Sequence, residues 1–444
     1  MSGQEIIGLV MLCSMLFTIF IGIPISFTLL FLALVFGSIG LGQGAAFNLV
    51  YLQIYGMMKD EVLPALPLFI FMGFMVEQAG LMERLFVAFR NLLAPVRGSL
   101  YLAVIFTATI FAMATGIIGA SVVVLGIMAA PVMMKTRYSA QLSAGAITAG
   151  GSLGILIPPS VMLVVMGPTM GVPVNHLYLA AFGPGFTLAA FYVVYCLLRS
   201  FLNPEIGPPI PKEMRVEASE VIKEFFIGIL PVSILIGLVL GTIIAGVATT
   251  TEAASCGAFG SIILVVLYRK LTVKGMIKAA IGTLATSSMV MLLNATSAGF
   301  GAIFTKLGSS QVITNLFLQL PLNDFSKLIV IMIIIFILGW PFEWPAVILV
   351  FLPIFLPVIE AMNFGMPKLD MLLWVGALIA VNLQTAFLSP PVAMSAYYLK
   401  SVAPDWSLST IYKGMFEFMG IQLIVLLTIL FFPRISLFFV SLFR

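Results

Sequence analysis

Long apolar runs, interrupted by few charges, fill this chain of 444 residues from one end to the other. Hydrophobic residues make up 61% of it and charged residues only 9%, whereas soluble domains carry about 25% charged residues. A soluble fold could not bury this much apolar surface, so lipid must be the solvent for most of the chain. A bilayer core of about 30 Å requires roughly 20 apolar residues per helix, and the runs suffice for about ten to twelve membrane elements.

The runs are uniformly apolar rather than alternating, which disfavours a β-barrel and predicts an all-α polytopic membrane protein. No Lys or Arg precedes Lys59, and a cleaved signal peptide would need a positive first region, so residues 6–21 are predicted to be a retained helix. The sequence has no Gly-Lys dipeptide and therefore no Walker A loop for ATP hydrolysis. We expect no nucleic acid among its partners.

A charged stretch divides the chain into two halves of similar organisation. Residues 200–225 are predicted to form a cytoplasmic linker between a first half at 1–199 and a second half at 226–444. Each half contains a predicted re-entrant hairpin followed by a discontinuous helix, at 99–134 and 139–169 and then at 327–361 and 369–400. Other spans are predicted near 6–21, 22–42, 64–84, 176–198, 226–247, 249–268, 277–303 and 410–433, with a shorter segment at 310–320.

The hairpins are predicted from apolar runs that stop too early to cross the membrane. Residues 100–114 reach about 22 Å as a helix before the polar stretch Thr115–Ser121 interrupts them. Gly339–Pro345 interrupts the corresponding run in the second half. A half-crossing followed by a turn explains both runs, and a kinked ordinary helix is the alternative.

The discontinuous helices are predicted from paired prolines inside apolar runs. Pro158-Pro159 interrupts Gly150–Ser160, and a second pair of prolines closes Asn382–Pro391. Proline removes a backbone donor and clashes with the preceding turn, so the helix should open at each pair. Freed backbone groups at membrane depth are tolerated only inside protein or against water. Matched breaks in two halves therefore predict a transporter substrate site.

The distribution of positive charge predicts the orientation. If the linker is cytoplasmic and the hairpins enter from opposite sides, fifteen of the 21 Lys and Arg residues face the cytoplasm and six face outward. This bias follows the positive-inside rule. It makes the two halves inverted repeats and places both termini outside the cytoplasm.

Helix breaks supply the groups that an ion-coupled transporter needs. Half-helix N-termini suit a carboxylate, and half-helix C-termini with free carbonyls suit a sodium ion. Polar side chains at the breaks could complete such sites: Thr115, Ser121, Ser152, Ser160, Asn382, Gln384, Thr385 and Ser389. For each hydroxyl, the alternative is an internal hydrogen bond to the preceding helical turn.

Glu343 is the most informative single residue. It lies at the second predicted tip, where a carboxylate at membrane depth normally faces a cavity or a cation. The alternative is an interfacial glutamate beside Trp340 and Trp344. Glu252 also lies in an apolar run, and because it follows Thr249, an N-capping box is an equal alternative to a functional role.

Four blocks of sequence resemble those of a known family. They are Ala149–Ser160 with its Gly-Gly and Pro-Pro pairs, Pro67–Gly73, Thr251–Ala254, and the segment from Asn382 to Val392. With these blocks the sequence resembles, over nearly its whole length, the large membrane subunit of TRAP (tripartite ATP-independent periplasmic) transporters, of the DctM type.

The resemblance implies an elevator-type transporter, not an enzyme, whose moving domain holds two hairpins and two broken helices. It implies sodium as the coupling ion with no other cofactor, a small four-helix membrane subunit and a periplasmic substrate-binding protein as partners, a small organic acid as the typical substrate, and the bacterial inner membrane as the location. Carried over by position, the cation and substrate region falls on Thr115, Gly116, Ser121, Gly151, Ser152, Gly154, Glu343, Asn382, Thr385 and Ser389.

Some positions depart from the family pattern. The first tip has Ile117 and Ile118 where serines are usual, the second tip has Glu343 in place of Asp, and the second break has Ser389 in place of Thr. The number of ions and the substrate therefore stay open. A stand-alone sodium/carboxylate symporter of the same architecture is the alternative function. A channel and an intramembrane hydrolase are rivals of other classes, although no nucleophile–base pair is visible for the second.

Overall fold

The computed structural model describes residues 1–116, 118–210, 215, 218–390 and 393–443. These residues form helices joined by turns, with no β-strand among them, because only intrahelical hydrogen bonds satisfy an open chain in lipid. Within this part, eight helices are long and apolar enough to cross a membrane, and nine if one bent pair forms a single span. The predicted all-α polytopic membrane class is confirmed.

Ten helices precede the linker and eleven follow it in the described residues. The first ten are α1 Gly3–Phe20, α2 Ile25–Leu41, α3 Gln43–Met58, α4 Ala65–Gln78, α5 Leu81–Leu92, α6 Ser99–Thr115, α7 Ile118–Lys135, α8 Ala140–Ser152, α9 Val161–Met170 and α10 Val174–Leu202. The others are α11 Ala218–Ile244, α12 Thr250–Leu267, α13 Val273–Lys306, α14 Ser309–Leu318, α15 Asp324–Leu338, α16 Trp344–Ala346, α17 Leu352–Glu360, α18 Lys368–Gln384, α19 Met394–Val402, α20 Leu408–Phe431 and α21 Arg434–Leu442.

We group the helices into two blocks by their packing, and α4 and α5 also contact α6 across the boundary. In the first, which we call the scaffold block, α12 packs against α4, α13 crosses α2, α3 and α4, and α11 packs on α5. In the second, the core block, α8 lies among α6, α7 and α20, while α10 packs against α18, α20 and α21. Helices α1–α5 and α11–α14 form the scaffold block, and α6–α10 and α15–α21 form the core block. The buried helix α18 runs through the centre of the core block.

Two tips and two breaks interrupt the helices of the core block. At the first break a 3₁₀ turn, Leu153–Ile155, follows α8, and α9 begins only at Val161. At the second, the 3₁₀ turn Thr385–Phe387 follows α18, and α19 begins at Met394. The tips lie between α6 and α7 and between α15 and α16, where a π-helical turn, Val347–Phe351, joins α16 to α17. Ile117, Pro391 and Val392 lie outside the described residues.

Several elements differ from the sequence prediction. The stretch at 64–84, predicted as one span, contains all of α4 and the start of α5, and the two helices are bent by 60° relative to each other. Gly80 makes the bend possible because it adopts a φ of +69°, which an L side chain disfavours. Helices α3 and α21 were not predicted. Part of the predicted linker packs against the protein: the amide of Ile210 donates to the Ala94 carbonyl at 3.1 Å.

Candidate functional site

The two hairpin tips and the two helix breaks meet around one cavity of about 370 Å³, which we call the central cavity. The scaffold helices α4 and α13 complete its wall with Ile70, Thr286 and Met289. The core residues that line it are Gly116, Ile118, Gly119, Ile155, Val161, Glu343, Trp344, Pro345, Phe387, Met394 and Tyr398. The cavity therefore lies between the two blocks and within the size range of small-molecule sites, about 300–1,000 Å³.

Four helical segments begin at this cavity. Their first residues, Ile118, Val161, Trp344 and Met394, all line it. The first amides of a helix lack intrahelical partners and carry the positive end of the helix dipole, so together they favour a bound anion. The segment that starts at Trp344 is only briefly α-helical, but it stays helical to Glu360 through the π-turn.

Three helical segments end at the same cavity. Gly116 follows the last residue of α6, Ile155 ends the first 3₁₀ turn and Phe387 ends the second. Because the last carbonyls of a helical segment carry the negative end of the dipole, they suit a small cation. The central cavity thus offers main-chain ligands of both signs.

Glu343 adds the one charged side chain among the described lining residues of the central cavity. It occupies the N-cap position before Trp344, yet its carboxylate makes no capping hydrogen bond and no ion pair within the described chain. Tyr398, from α19, is its titratable neighbour in the cavity. A carboxylate held in this way is free to bind a cation, which favours the cavity interpretation of Glu343 over the interfacial one.

Two serine side chains at the first break donate hydrogen bonds to backbone carbonyls nearby in the sequence. The Ser152 hydroxyl donates to the Ala149 carbonyl at 2.8 Å, so its hydrogen bond is the internal one. The Ser160 hydroxyl donates to the Ile155 carbonyl, and Ser160 also caps α9 by accepting from the Leu163 amide at 3.5 Å. Neither serine lines the central cavity.

Glycines let the first tip approach the first break. Gly116 has a φ of +60°, and a Cβ there would stand 3.6 Å from the Val161 amide nitrogen and 3.9 Å from the Gly154 carbonyl oxygen. A Cβ on Gly151 would stand 3.1 Å from the amide nitrogen of Val122 on α7. The predicted glycines therefore bring the first tip and the first break into backbone contact.

The second break holds polar groups without protein partners. Asn382 donates to the Met332 carbonyl at 2.7 Å, and Thr385 donates to the Asn382 carbonyl at 2.7 Å. The side-chain oxygens of Asn382 and Ser389 and both amide atoms of Gln384 are buried and have no hydrogen-bond partner in the described chain. An unpaired buried polar group costs about 1–3 kcal/mol, so a ligand, an ion or water is expected to bind these groups.

The ten predicted site residues thus fall into three sets. Gly116 and Glu343 line the central cavity, and Gly154 adjoins it through its carbonyl. Ser121, Gly151, Ser152, Asn382, Thr385 and Ser389 do not line it. The side chain of Thr115 lies outside the described part. Tyr398 and the α13 residues were not predicted, because no local motif marks a helix face that contacts a distant hairpin.

Comparison with known proteins decides the family. The family model described as "Tripartite ATP-independent periplasmic transporter, DctM component" matches residues 12–435. The chain belongs to the DctM family. It is therefore a multi-pass transport permease and not an enzyme, as the sequence resemblance implied, and DctM membership implies partnership with a small membrane subunit and a periplasmic binding protein.

Named relatives of the DctM family cover most of the chain. The sialic acid TRAP transporter large permease protein SiaM of Vibrio cholerae is 28% identical over 431 residues, 96% of either chain. The isethionate TRAP transporter permease protein DctMQ of Oleidesulfovibrio alaskensis is 27% identical, over 99% of this chain and 70% of its own length. The C4-dicarboxylate TRAP transporter large permease protein DctM of Pseudomonas aeruginosa is 26% identical, over 87% and 88%.

Solved structures share the fold at lower identity. The YdaH transporter of Alcanivorax borkumensis matches with a TM-score of 0.61 and 14% identity over 88% of either chain. MtrF of Neisseria gonorrhoeae matches with a TM-score of 0.61 and 15% identity, over 88% of this chain and 84% of its own. At these identities the likeness concerns the fold alone.

One candidate residue has a local structural role instead. The Glu252 carboxylate accepts a hydrogen bond from the Thr249 amide at 2.8 Å, and the Thr249 hydroxyl accepts from the Glu252 amide at 3.2 Å. These bonds form a complete capping box at the start of α12, which is the alternative that the sequence offered. Glu252 therefore has a sufficient structural reason to be acidic.

Proposed function

We propose that this chain is the translocation subunit of a sodium-coupled, binding-protein-dependent transporter for a small organic acid. The observation that carries the proposal is the convergence of four helix N-termini and one unpaired carboxylate on a single cavity. The N-terminal amides suit the carboxylate of a substrate, and Glu343 with the carbonyl ends of the breaks suits sodium. The three relatives are named as permeases for sialic acid, isethionate and C4-dicarboxylates, and all of these solutes are organic anions.

The position of the central cavity supports an elevator mechanism. Its wall combines scaffold residues, such as Thr286, with both tips and both breaks of the core block. A rigid movement of the core block along α13 would carry the bound anion and cations across the membrane together. Each positive charge that moves down 100 mV supplies about 2.3 kcal/mol, so one or two ions can drive substantial accumulation.

Bound cations give the coupling a physical basis. The described lining residues of the central cavity include no Lys or Arg, while Glu343 contributes a negative charge. An anion next to an uncompensated carboxylate is unfavourable at low dielectric. Sodium bound at Glu343 removes this repulsion, so we expect the cation to bind before the anion.

The proposal includes partners and orientation. A small four-helix membrane subunit would bind the scaffold block, and a periplasmic binding protein would deliver the substrate. The excess of Lys and Arg on one side favours both termini in the periplasm of a bacterial inner membrane. A stand-alone sodium/carboxylate symporter is the second candidate, and it differs by needing no binding protein.

Uptake into proteoliposomes tests the proposal. The chain is reconstituted with the small subunit and the binding protein, and uptake of sialic acid, succinate and isethionate is measured with sodium or potassium outside. We expect uptake of one anion that requires both sodium and the binding protein. Uptake without the binding protein would support the stand-alone symporter, and equal uptake in potassium would overturn sodium coupling.

Substitution of Glu343 tests the site within the same assay. Glu343→Gln keeps the size of the side chain but removes its charge, so we expect the sodium concentration for half-maximal uptake to rise about tenfold. The matched control is Glu83→Gln, which changes an exposed glutamate in the first turn of α5. An unchanged sodium requirement in Glu343→Gln would show that this carboxylate does not bind the coupling ion.

A further inference from the structure

A second cavity, of about 740 Å³, is lined in part by the same helices as the central cavity, and we call it the vestibule. Helix α13 contributes Thr286 and Met289 to the central cavity and Asn294 to Lys306, further along, to the vestibule. Helix α9 and the second hairpin likewise line both cavities, through different turns. The vestibule therefore continues the boundary between the scaffold block and the core block.

The wall of the vestibule contains polar groups without protein partners. Ser297 is only 3% exposed, yet its hydroxyl oxygen has no hydrogen-bond partner in the described chain. Asn294 lies one turn before it on α13, and Gln53 faces the same cavity from α3. A buried hydroxyl beside two side-chain amides points to a bound polar ligand, because an unmade hydrogen bond at this depth is costly.

The charges of the vestibule are not equivalent. One carboxylate oxygen of Asp60 accepts from the Val62 amide at 2.8 Å, so the protein partly satisfies this carboxylate although its negative charge stays in the wall. Lys306 makes no ion pair in the described chain. A lysine in the last turn of a helix is also favoured by the helix dipole, but that effect does not account for the unpartnered Ser297 in the same wall.

We propose that the vestibule is a second binding site, at which Asn294 and Ser297 bind a small organic anion beside the path to the central cavity, while Lys306, about 18 Å further along α13 than Asn294, attracts the anion electrostatically. This inference rests on the proposed function for the identity of the anion. The lysine supplies the charge, and the amide and the hydroxyl hydrogen-bond to the carboxylate or to polar groups of the same molecule. The vestibule then raises the local concentration of substrate before the central cavity binds it.

Charge-selective thiol labelling tests the vestibule without a known substrate. Gly301 lines it, and a Cβ there would meet nothing within 4 Å, so Gly301→Cys places a thiol in open space. The native cysteines are first replaced; they are Cys13, Cys196 and Cys256. The protein is then labelled with an anionic sulfonatoethyl and a cationic trimethylammonium-ethyl methanethiosulfonate, and the two rates are compared with and without Lys306→Gln.

We expect Lys306→Gln to lower the ratio of the anionic to the cationic labelling rate roughly tenfold, because charged clefts concentrate counter-ions by at least that factor. The matched control is Lys59→Gln: Lys59 lies 4.4 Å from the Tyr55 ring centroid and does not line the vestibule. Succinate, sialic acid or isethionate should slow labelling, whereas chloride at equal ionic strength should not.

Two results would contradict the proposed anion site in the vestibule. One is a ratio that Lys306→Gln leaves unchanged, and the other is an equal fall in the Lys59→Gln control. Sodium-dependent uptake, measured on the same variants, separates this failure from that of the proposed function. Normal uptake with no charge selectivity in labelling would contradict only the proposed vestibule site. Charge selectivity without any sodium-dependent uptake would contradict sodium coupling but still support the anion site in the vestibule.

Discussion

Gly151 allows the first break to contact α7 closely, because its side chain is only a hydrogen atom. A Cβ there would collide with the Val122 side chain and stand 3.1 and 3.2 Å from the Val122 amide nitrogen and Cα. Valine is stiff at χ1, and the backbone of α7 is fixed by its own helix, so neither can move aside cheaply. Glycine is therefore required at this position by packing as well as by any role in ion binding.

We expect Gly151→Ala to destabilise the protein by about 1–3 kcal/mol, the usual cost of overpacking, and so to lower the apparent melting temperature in detergent. The control is Gly237→Ala in α11, where a Cβ meets nothing within 4 Å. That change should be neutral or stabilise by roughly 0.5–1 kcal/mol, since alanine favours a helix over glycine. Equal melting temperatures for the two variants would contradict the packing argument.

The polar residues show how far a sequence predicts a site. Composition and motif identified Ser152, Thr385 and Asn382 as candidates, but not their partners. The hydroxyls of Ser152 and Thr385 both bond to carbonyls three residues earlier, which needs no tertiary structure. Asn382 reaches Met332, fifty residues away, and only the packed fold brings them together. The sequence could name these residues but could not choose between internal bonding and ligand binding.

At the scale of elements, two glycines set the distance between α8 and α20. A Cβ on Gly414 would overlap the Gln141 carbonyl oxygen and stand 2.8 Å from the Gly145 amide nitrogen. A Cβ on Gly145 would stand 2.7 Å from the Gly414 carbonyl oxygen. Small residues of this kind let membrane helices approach closely and gain van der Waals contact. The contact joins the first broken helix to a helix of the second half.

Gly414→Ala should force α8 and α20 apart and destabilise the core block by about 1–3 kcal/mol. The matched control lies on the same helix: Gly420→Ala adds a Cβ that meets nothing within 4 Å. Thermal unfolding of both variants in the same detergent measures the difference. If Gly414→Ala melts at or above the temperature of Gly420→Ala, the helices are not in the close contact described here.

Long apolar elements were predictable, and short or bent ones were not. Helix α11, for example, follows directly from the uncharged and mostly apolar run at 226–247. Helix α3 has several exposed aromatic residues and no uniform apolar run, so hydropathy could not identify it. The separation of α4 from α5 depends on the left-handed conformation of Gly80, which a window average over neighbouring residues does not resolve.

At the scale of the whole molecule, the two blocks touch at a contact that a sliding core block must break. The rings of Phe20, at the end of α1, and Phe342, at the second tip, have centroids 6.2 Å apart. Phe182 and Phe439 form a comparable pair within the core block, with centroids 5.9 Å apart. The first pair joins the scaffold block to the core block, while the second would move as one body.

Cross-linking of these pairs tests the elevator movement. In a background without native cysteines, Phe20→Cys with Phe342→Cys is joined by a cleavable bifunctional thiol reagent. We expect uptake to fall to background after cross-linking and to recover after reduction. Phe182→Cys with Phe439→Cys should keep its uptake when cross-linked. Unimpaired transport with the first pair fully joined would contradict movement of the core block against the scaffold block.

The four helix N-termini at the central cavity have a consequence for how such a permease diversifies. Main-chain amides are present whatever the side chains are, so in the proposed function the recognition of an acid's charge does not depend on keeping a particular arginine or lysine. Wall residues such as Met289 and Phe387 can then be exchanged to suit a bulkier or smaller solute, while the helix N-termini still favour an anion. A change of transported solute would then require a different cavity shape next to the helix N-termini, but no new charged side chain.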